Sequence, residues 1–184
     1  MRIIAGRYRG RRLIAPPGRD TRPTADRVRE ALFDILAHGQ PPLPEGACVL
    51  DLFAGSGALG LEAASRGAQQ VTFIDNSAAA LDAIHRNLDA LGGDVETQLI
   101  RADATRLPRA GRRFDLVLID APYRSGLAEK ALPDLLAQDW LAPLARIVVE
   151  LGHSQDLNLP PGVLSLDERR YGTSKLVFLR AVDI

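Results

Sequence analysis

Two clusters in this 184-residue chain combine residue types and spacing that could do chemistry. One is Asp51-Leu-Phe-Ala-Gly55-Ser56-Gly57-Ala-Leu-Gly60, an acid within an apolar run followed by a glycine-rich turn. Gly55, Gly57 and Gly60 formally match the G-x-G-x-x-G turn that lets backbone N–H groups approach a nucleotide at the start of a helix. Asp75 closes the next apolar run, where a ribose-binding acid belongs. Asp51 discriminates between ligands. A dinucleotide brings a pyrophosphate to such a turn, and a carboxylate there would repel it. S-adenosylmethionine brings an ammonium and a sulfonium, which an acid favours. The residues fit that ligand better than NAD, although glycines that merely shape a turn and an Asp51 that merely caps a helix would read the same way.

The other cluster is Asp120-Ala121-Pro122-Tyr123, directly after the most apolar run of the chain. An exocyclic amine on a base is a poor nucleophile, because its lone pair is delocalised into the ring. A carboxylate and a backbone carbonyl accepting its two N–H bonds would localise that lone pair, and an aromatic ring could hold the base by stacking. Asp120, the Ala121 carbonyl and Tyr123 can fill those roles, with Pro122 biasing Ala121 toward an extended backbone. A plain turn is the alternative reading.

The elements that must position these clusters alternate between strand and helix. Apolar runs at Val49–Phe53, Val71–Asp75, Gln98–Arg101, Phe114–Asp120 and Ile147–Leu151 read as strands, the fourth apolar on both faces like a central parallel strand. Helical spacing appears at Leu59–Arg66, closed by Gly67, then after Asn76 or Ser77 with Leu81, Ile84, Leu88 and Leu91 on one face and Gly92 as the stop. It returns at Ala128, Ala131, Leu132 and Leu135. Leu164–Tyr171 and Lys175–Val182 flank Gly172-Thr173-Ser174, an expected edge hairpin. This pattern predicts an α/β fold: a Rossmann-like, mostly parallel sheet with helices on both faces and a C-terminal antiparallel hairpin.

Ahead of it, residues 2–15 alternate around Gly6 and Gly10 as a small hairpin. Thr24 is placed to cap a short helix burying Val28, Leu32, Ile35 and Leu36, with Arg27 and Arg29 facing solvent. Pro41, Pro42 and Pro44 mark a linker. The expected division is therefore an Arg-rich extension over 1–40 and a catalytic-type domain over 45–184.

Charge follows the same division. The chain has 23 basic and 23 acidic residues, but residues 1–29 hold nine Arg against Asp20 and Asp26, a local +7 that leaves −7 on the rest. A basic arm on an acidic body suggests a polyanionic partner. No apolar run approaches the roughly 18–20 residues needed to span a bilayer. The first twenty residues lack a signal-peptide core. A single cysteine, Cys48, permits no internal disulfide and no cysteine-cluster metal site. His38, His85 and His153 are isolated in sequence, so no metal is expected, and no Ser-His-Asp arrangement can be argued. The expected setting is cytoplasmic.

With both motifs in view, the sequence resembles the class I S-adenosylmethionine-dependent methyltransferases of exocyclic amines, whose motif reads Asp/Asn-Pro-Pro-Tyr/Phe. Within them it closely resembles the bacterial RsmD family, the 16S ribosomal RNA guanine-N2 methyltransferases. The similarity runs through Arg2-Ile-Ile-Ala-Gly6, Arg9-Gly-Arg11, Thr21-Arg-Pro-Thr24, Arg27-Val-Arg-Glu-Ala-Leu-Phe33, Leu50 to Gly60, and Tyr171-Gly-Thr173. Ala121 departs from it, standing where the motif has its first proline, but alanine still supplies the carbonyl.

The resemblance implies methyl transfer from S-adenosylmethionine to guanine N2 of small-subunit ribosomal RNA, free or in an assembly particle, by a monomer. It implies catalysis by Asp120, Ala121, Pro122 and Tyr123. It implies cofactor contacts at Asp51, Phe53, Gly55, Ser56, Gly57, Asp75, Asn76, Asp103, Ala104 and Asp120, with Asp103 accepting the adenine amino group unless it only caps a helix. RNA would meet Arg7, Arg9, Arg11, Arg12, Arg22 and Arg27. The rival readings are a DNA adenine-N6 methyltransferase, for whose target-recognition region the chain has little room, an NAD-dependent oxidoreductase, and a non-catalytic RNA-binding module.

Overall fold

The computed structural model of the chain describes residues 1–16, 23–39, 46–92, 95–123 and 125–182. Along the chain run α1 (Pro23–His38), β1 (Cys48–Leu52), α2 (Ala58–Ser65), β2 (Gln70–Asp75), α3 (Ala78–Leu91), β3 (Glu96–Arg101), β4 (Phe114–Ile119), α4 (Leu127–Ala137), β5 (Leu141–Gly152), β6 (Val163–Tyr171) and β7 (Ser174–Ala181). They build one seven-stranded sheet in the order β3-β2-β1-β4-β5-β7-β6. The first five are parallel, and β7 runs antiparallel between β5 and β6. This is the expected α/β architecture.

Strand alternation divides the core between two faces. Val49, Val71, Phe73, Leu116, Leu118 and Val148 face α1, α2 and α3, in a cluster that also takes in Ile3 and Leu13. Leu50, Leu52, Ile74, Val117, Ile119, Ile147 and Val149 face α4 and Trp140. Trp140 stacks on Phe114 with ring centroids 5.6 Å apart and donates its indole N–H to the Pro108 carbonyl at 2.8 Å.

Local signals explain the helix ends. The Ser77 side chain accepts the Ala80 N–H, and Gly92 closes α3 in the left-handed region at φ 74°. Helix α1 opens at Pro23, so Thr24 lies within its first turn and not ahead of it. A fixed φ and a missing N–H suit proline to that first position. The linker prolines 41, 42 and 44 lie outside the described residues. Strand β5 begins six residues earlier than the apolar run suggests, because Pro143 and a positive φ of 60° at Leu144 interrupt the pattern. Its register with β4 shifts between Phe114 and Leu116.

The N-terminal residues are built into this body. The expected hairpin is a single antiparallel bridge, Arg2 to Arg12, closed by Ile3 N–H to the Arg11 carbonyl and Gly10 N–H to the Ile3 carbonyl. Glu62 of α2, 0% exposed, accepts the Ile4 and Ala5 N–H groups at 2.8 and 3.0 Å. Ser65 accepts the Tyr8 N–H on its hydroxyl and the Arg7 N–H on its carbonyl. Asn87 of α3 accepts the Ile14 N–H and donates to the carbonyls of Ile14 and Ser56. The approach is so close at Gly6 (φ 80°) that a Cβ would stand 1.9 Å from the Ser65 carbonyl oxygen.

Arg29 corrects the expected outward face of α1. It is 4% exposed, its guanidinium donating to the Arg2 carbonyl and to Asp26, with Nε 3.8 Å from Glu62. It stands three, four and seven residues before buried Leu32, Phe33 and Leu36, on the same helix face, and the Glu62 carboxylate with the Arg2 carbonyl gives the buried cation its partners. Arg27 is exposed as expected. Because Glu62 also holds Arg66 Nε at 2.8 Å, Glu62→Ala should strand two cations and two amides. We expect a loss of about 3–5 kcal/mol, measured as a lowered urea unfolding midpoint.

Candidate active site at the carboxyl edge of the sheet

Parallel strands in register bring their carboxyl ends level. Ile74, Leu52, Ile119 and Val149 are successive neighbours across β2, β1, β4 and β5. The next residues on these strands are Asp75, Phe53, Asp120 and Glu150, so both chemical clusters open along one edge. The strand order reverses between β1 and β4, where open α/β sheets bind ligands. Two strand spacings, roughly 10 Å, separate the ends of β2 and β4.

The glycine loop is held from beneath by its acids. Asp51, 1% exposed, accepts the Gly60 N–H at 2.8 Å in the first turn of α2. Asp75 accepts the Gly55 N–H on one oxygen at 2.8 Å and the Ser77 N–H on the other at 2.9 Å. These carboxylates therefore satisfy backbone donors of the loop as well as lending it negative charge. Gly60 lies so close to Phe73 that a Cβ would stand 2.3 Å from the ring, and one at Gly57 would stand 2.9 Å from Ile84. Those glycines bring α2 down onto the sheet. Phe53 turns the chain into the loop with φ 63°, a left-handed conformation costing a bulky residue about 1–3 kcal/mol. Ser56 is half-buried, its carbonyl accepting from Asn87.

Further along the edge, Asn76 is exposed, and its carbonyl accepts from Arg101 Nε. Asp103 is exposed and folds into a local turn, accepting the Thr105 N–H and hydroxyl on one oxygen, both at 2.8 Å. Those bonds, the backbone one foremost, hold its carboxyl below the usual range. Ala104 is buried beside it.

At the end of β4, Asp120 is half-buried, Ala121 buried and Pro122 exposed. The Ser125 hydroxyl donates to the Pro122 carbonyl and accepts the Leu127 N–H, fixing the loop to the start of α4. Tyr123 is 42% exposed, and its hydroxyl lies 2.6 Å from Glu150 Oε1 and 2.7 Å from Ser174 Oγ. Burial first, and the bond to Glu150 next, push its pKa far above the ordinary tyrosine value, so the ring stays neutral. Sequence reasoning missed Glu150 and Ser174. The only signal was an acid within the apolar run 147–151.

Among the residues expected to meet RNA, Arg7, Arg9, Arg11 and Arg12 are exposed on the N-terminal turn, Arg7 lying 5.3 Å from the Tyr8 ring centroid. Arg22 lies outside the described residues. Among the described residues, no group of His, Cys, Asp and Glu could hold a metal ion, and no helix is long and apolar enough to cross a membrane.

Comparison with known proteins adds relatives to this geometry. A family model described as "Conserved hypothetical protein 95" matches residues 1–180. A Haemophilus influenzae protein named "Ribosomal RNA small subunit methyltransferase D" is 38% identical over 176 residues, covering 94% of this chain and 89% of that protein. Its namesake from Escherichia coli K12 is 39% identical over 171 residues, covering 92% and 84%. The solved "Putative methyltransferase yhhF from Escherichia coli" superposes with TM-score 0.84 at 36% identity, covering 99% of this chain and 98% of that one.

The double role of the acids has a measurable consequence. With no ligand added, Asp75→Ala should lower stability by about 1–3 kcal/mol, because the buried Gly55 N–H and the partly buried Ser77 N–H lose a charged acceptor. A denaturation midpoint equal to wild type would make Asp75 dispensable to the loop.

Proposed function

The chain belongs to that family, the RsmD family it resembles in sequence, and on this premise we propose that it transfers a methyl group from S-adenosylmethionine to a guanine N2 of small-subunit ribosomal RNA. The observation that carries the reading is the level edge described above: the glycine loop and the Asp120–Tyr123 loop open side by side from neighbouring strands β1 and β4. The donor chemistry fits the cofactor. Two carboxylates, Asp51 beneath the loop and Asp75 beside it, suit a ligand bearing an ammonium and a sulfonium and oppose a pyrophosphate. A carboxylate can accept several donors, so their bonds to the loop are compatible with a further contact. Phe53, Ser56, Asn76, Asp103 and Ala104 line the same edge and complete the proposed cofactor site.

When bound, S-adenosylmethionine supplies a methyl group on a positively charged sulfur. The chain's own residues would do the rest. The target guanine leaves its stack to reach an edge site. Tyr123 stacks on the base through its exposed ring. Asp120 and the Ala121 carbonyl accept the two N–H bonds of the amine and turn its lone pair toward the methyl. As the C–N bond forms and the methyl–sulfur bond breaks, nitrogen becomes positive, and Asp120 balances that charge and takes the proton. Pro122 and the Ser125 bonds hold the Ala121 carbonyl in place. The basic N-terminal turn would grip RNA phosphates, the substrate being free RNA or an assembling particle, with the protein acting as a monomer in the cytoplasm.

Calorimetry should find binding of S-adenosylmethionine and its demethylated product and none of NADH. In the same series, Asp120→Ala should nearly abolish methylation of ribosomal RNA while changing cofactor affinity by no more than several-fold. Tight NADH binding, or full turnover by that variant, would refute the assignment.

Converting Arg7, Arg9, Arg11 and Arg12 to Gln should weaken RNA binding at low salt. Each lost phosphate contact should flatten the salt slope by about 0.7–0.9. An unchanged slope in a folded, cofactor-competent variant would leave this turn a purely structural role.

A further inference from the structure

Stacking on a base needs only the ring of Tyr123, yet its hydroxyl is held by both strands of the neighbouring antiparallel pair. Glu150 and Gly152 lie two apart on one face of β5, and Ser174 at the start of β7 pairs with Gly152 across the sheet. Tyr123 reaches over this patch from the loop after β4. Its ring rests against the strand at Gly152, where an added Cβ would stand 3.9 Å from the ring Cγ. Its hydroxyl meets Glu150 Oε1 at 2.6 Å and Ser174 Oγ at 2.7 Å.

Proton counting fixes the direction of these bonds. The phenol has one proton, and an ionised carboxylate can only accept, so Tyr123 donates to Glu150. The Ser174 hydroxyl must then donate to the phenol oxygen. The resulting chain, Ser174 to Tyr123 to Glu150, ends on a charge, which makes the last bond short and strong. An aromatic side chain on a loop otherwise has two soft torsions to freeze when a base lands on it. Here the backbone end is stiffened by Pro122 and the far end is tied to the sheet.

We propose that Glu150 and Ser174 are positioning residues that tether the Tyr123 hydroxyl so that its ring stands ready as the platform for the target base. The proposal rests on the functional reading above and extends it to residues outside the Asp120–Tyr123 motif. Glu150 and Ser174 act through Tyr123 and touch neither base nor cofactor. Preorganisation of this kind lowers the ordering cost of binding and fixes the amine's line of approach.

The test is a cycle of Glu150→Ala, Tyr123→Phe and their double variant, with Glu150→Gln and Ser174→Ala alongside. Single-turnover methylation at saturating ribosomal RNA, cofactor affinity and urea midpoint are read for each. Glu150→Ala and Tyr123→Phe should each slow transfer about tenfold, below the ~100-fold that a 1 Å misplacement can cost. The double variant should be no slower than Tyr123→Phe alone, and cofactor affinity should hold. Glu150→Gln keeps an acceptor oxygen and should recover most of the rate, while Ser174→Ala should give a smaller loss. Additive losses in the double variant, or full-speed transfer by Glu150→Ala, overturn the tether while leaving the methyltransferase reading intact. A wild-type protein that methylates no ribosomal RNA overturns that reading and the platform with it. The urea midpoints would still separate the two failures, since Glu150→Ala should lower the midpoint only while Tyr123 keeps its hydroxyl.

Discussion

A carboxylate withdrawn from water has to find donors, and Glu62 finds them in three parts of the chain. It accepts from the Ile4 and Ala5 amides of the N-terminal turn and from Arg66 one helical turn on, and it faces the Arg29 guanidinium of α1 as an ion pair at 3.8 Å. Burying such a charge is unfavourable unless each partner is in place, so the arm, α1 and α2 are committed to one arrangement. Since α2 begins at the glycine loop, the same helix that anchors the basic turn also sets the cofactor edge. Asn87 repeats the connection from α3, holding the Ile14 backbone with one hand and the Ser56 carbonyl with the other. The arm that was distinct in composition is continuous with the core in packing.

Much of this was legible in the sequence because it depends on neighbours along the chain. Apolar runs located the strands, save the first six residues of β5; Ser77 and Gly92 located the ends of α3, and the two motifs fell at the strand ends where open parallel sheets bind ligands. The illegible parts depend on partners far along the chain. Arg29 shares the buried face of its helix with Leu32, Phe33 and Leu36, but a cation can stay there only because of Glu62, 33 residues on, and the Arg2 carbonyl. Asp51 reads in sequence either as a ligand's counter-charge or as a helix cap, and the structure shows the bond to the Gly60 N–H; the matching duty of Asp75 appears only when Gly55 folds back over it. Glu150 and Ser174 carried no motif at all; antiparallel pairing of β5 and β7 brought them beneath Tyr123.

The acids on this edge share a face by geometry. Asp51, Asp75 and Glu150 occupy strand positions whose side chains point toward the layer of α1, α2 and α3. Each is engaged by a donor from a different part of the chain, Gly60 for Asp51, Gly55 and Ser77 for Asp75, and Tyr123 for Glu150, which spreads negative charge along the edge. The basic N-terminal turn lies on the same side of the sheet, so the polarity seen along the sequence becomes a polarity across a short stretch of surface.

Trp140 lies elsewhere. It is the chain's single tryptophan, stacked on Phe114 at the opposite, amino-terminal end of β4 and bonded to the Pro108 carbonyl. Its emission is therefore a built-in optical gauge of whether the sheet is assembled. Fluorescence from this protein will follow denaturation through a ring built into the layer that joins α4 to the sheet.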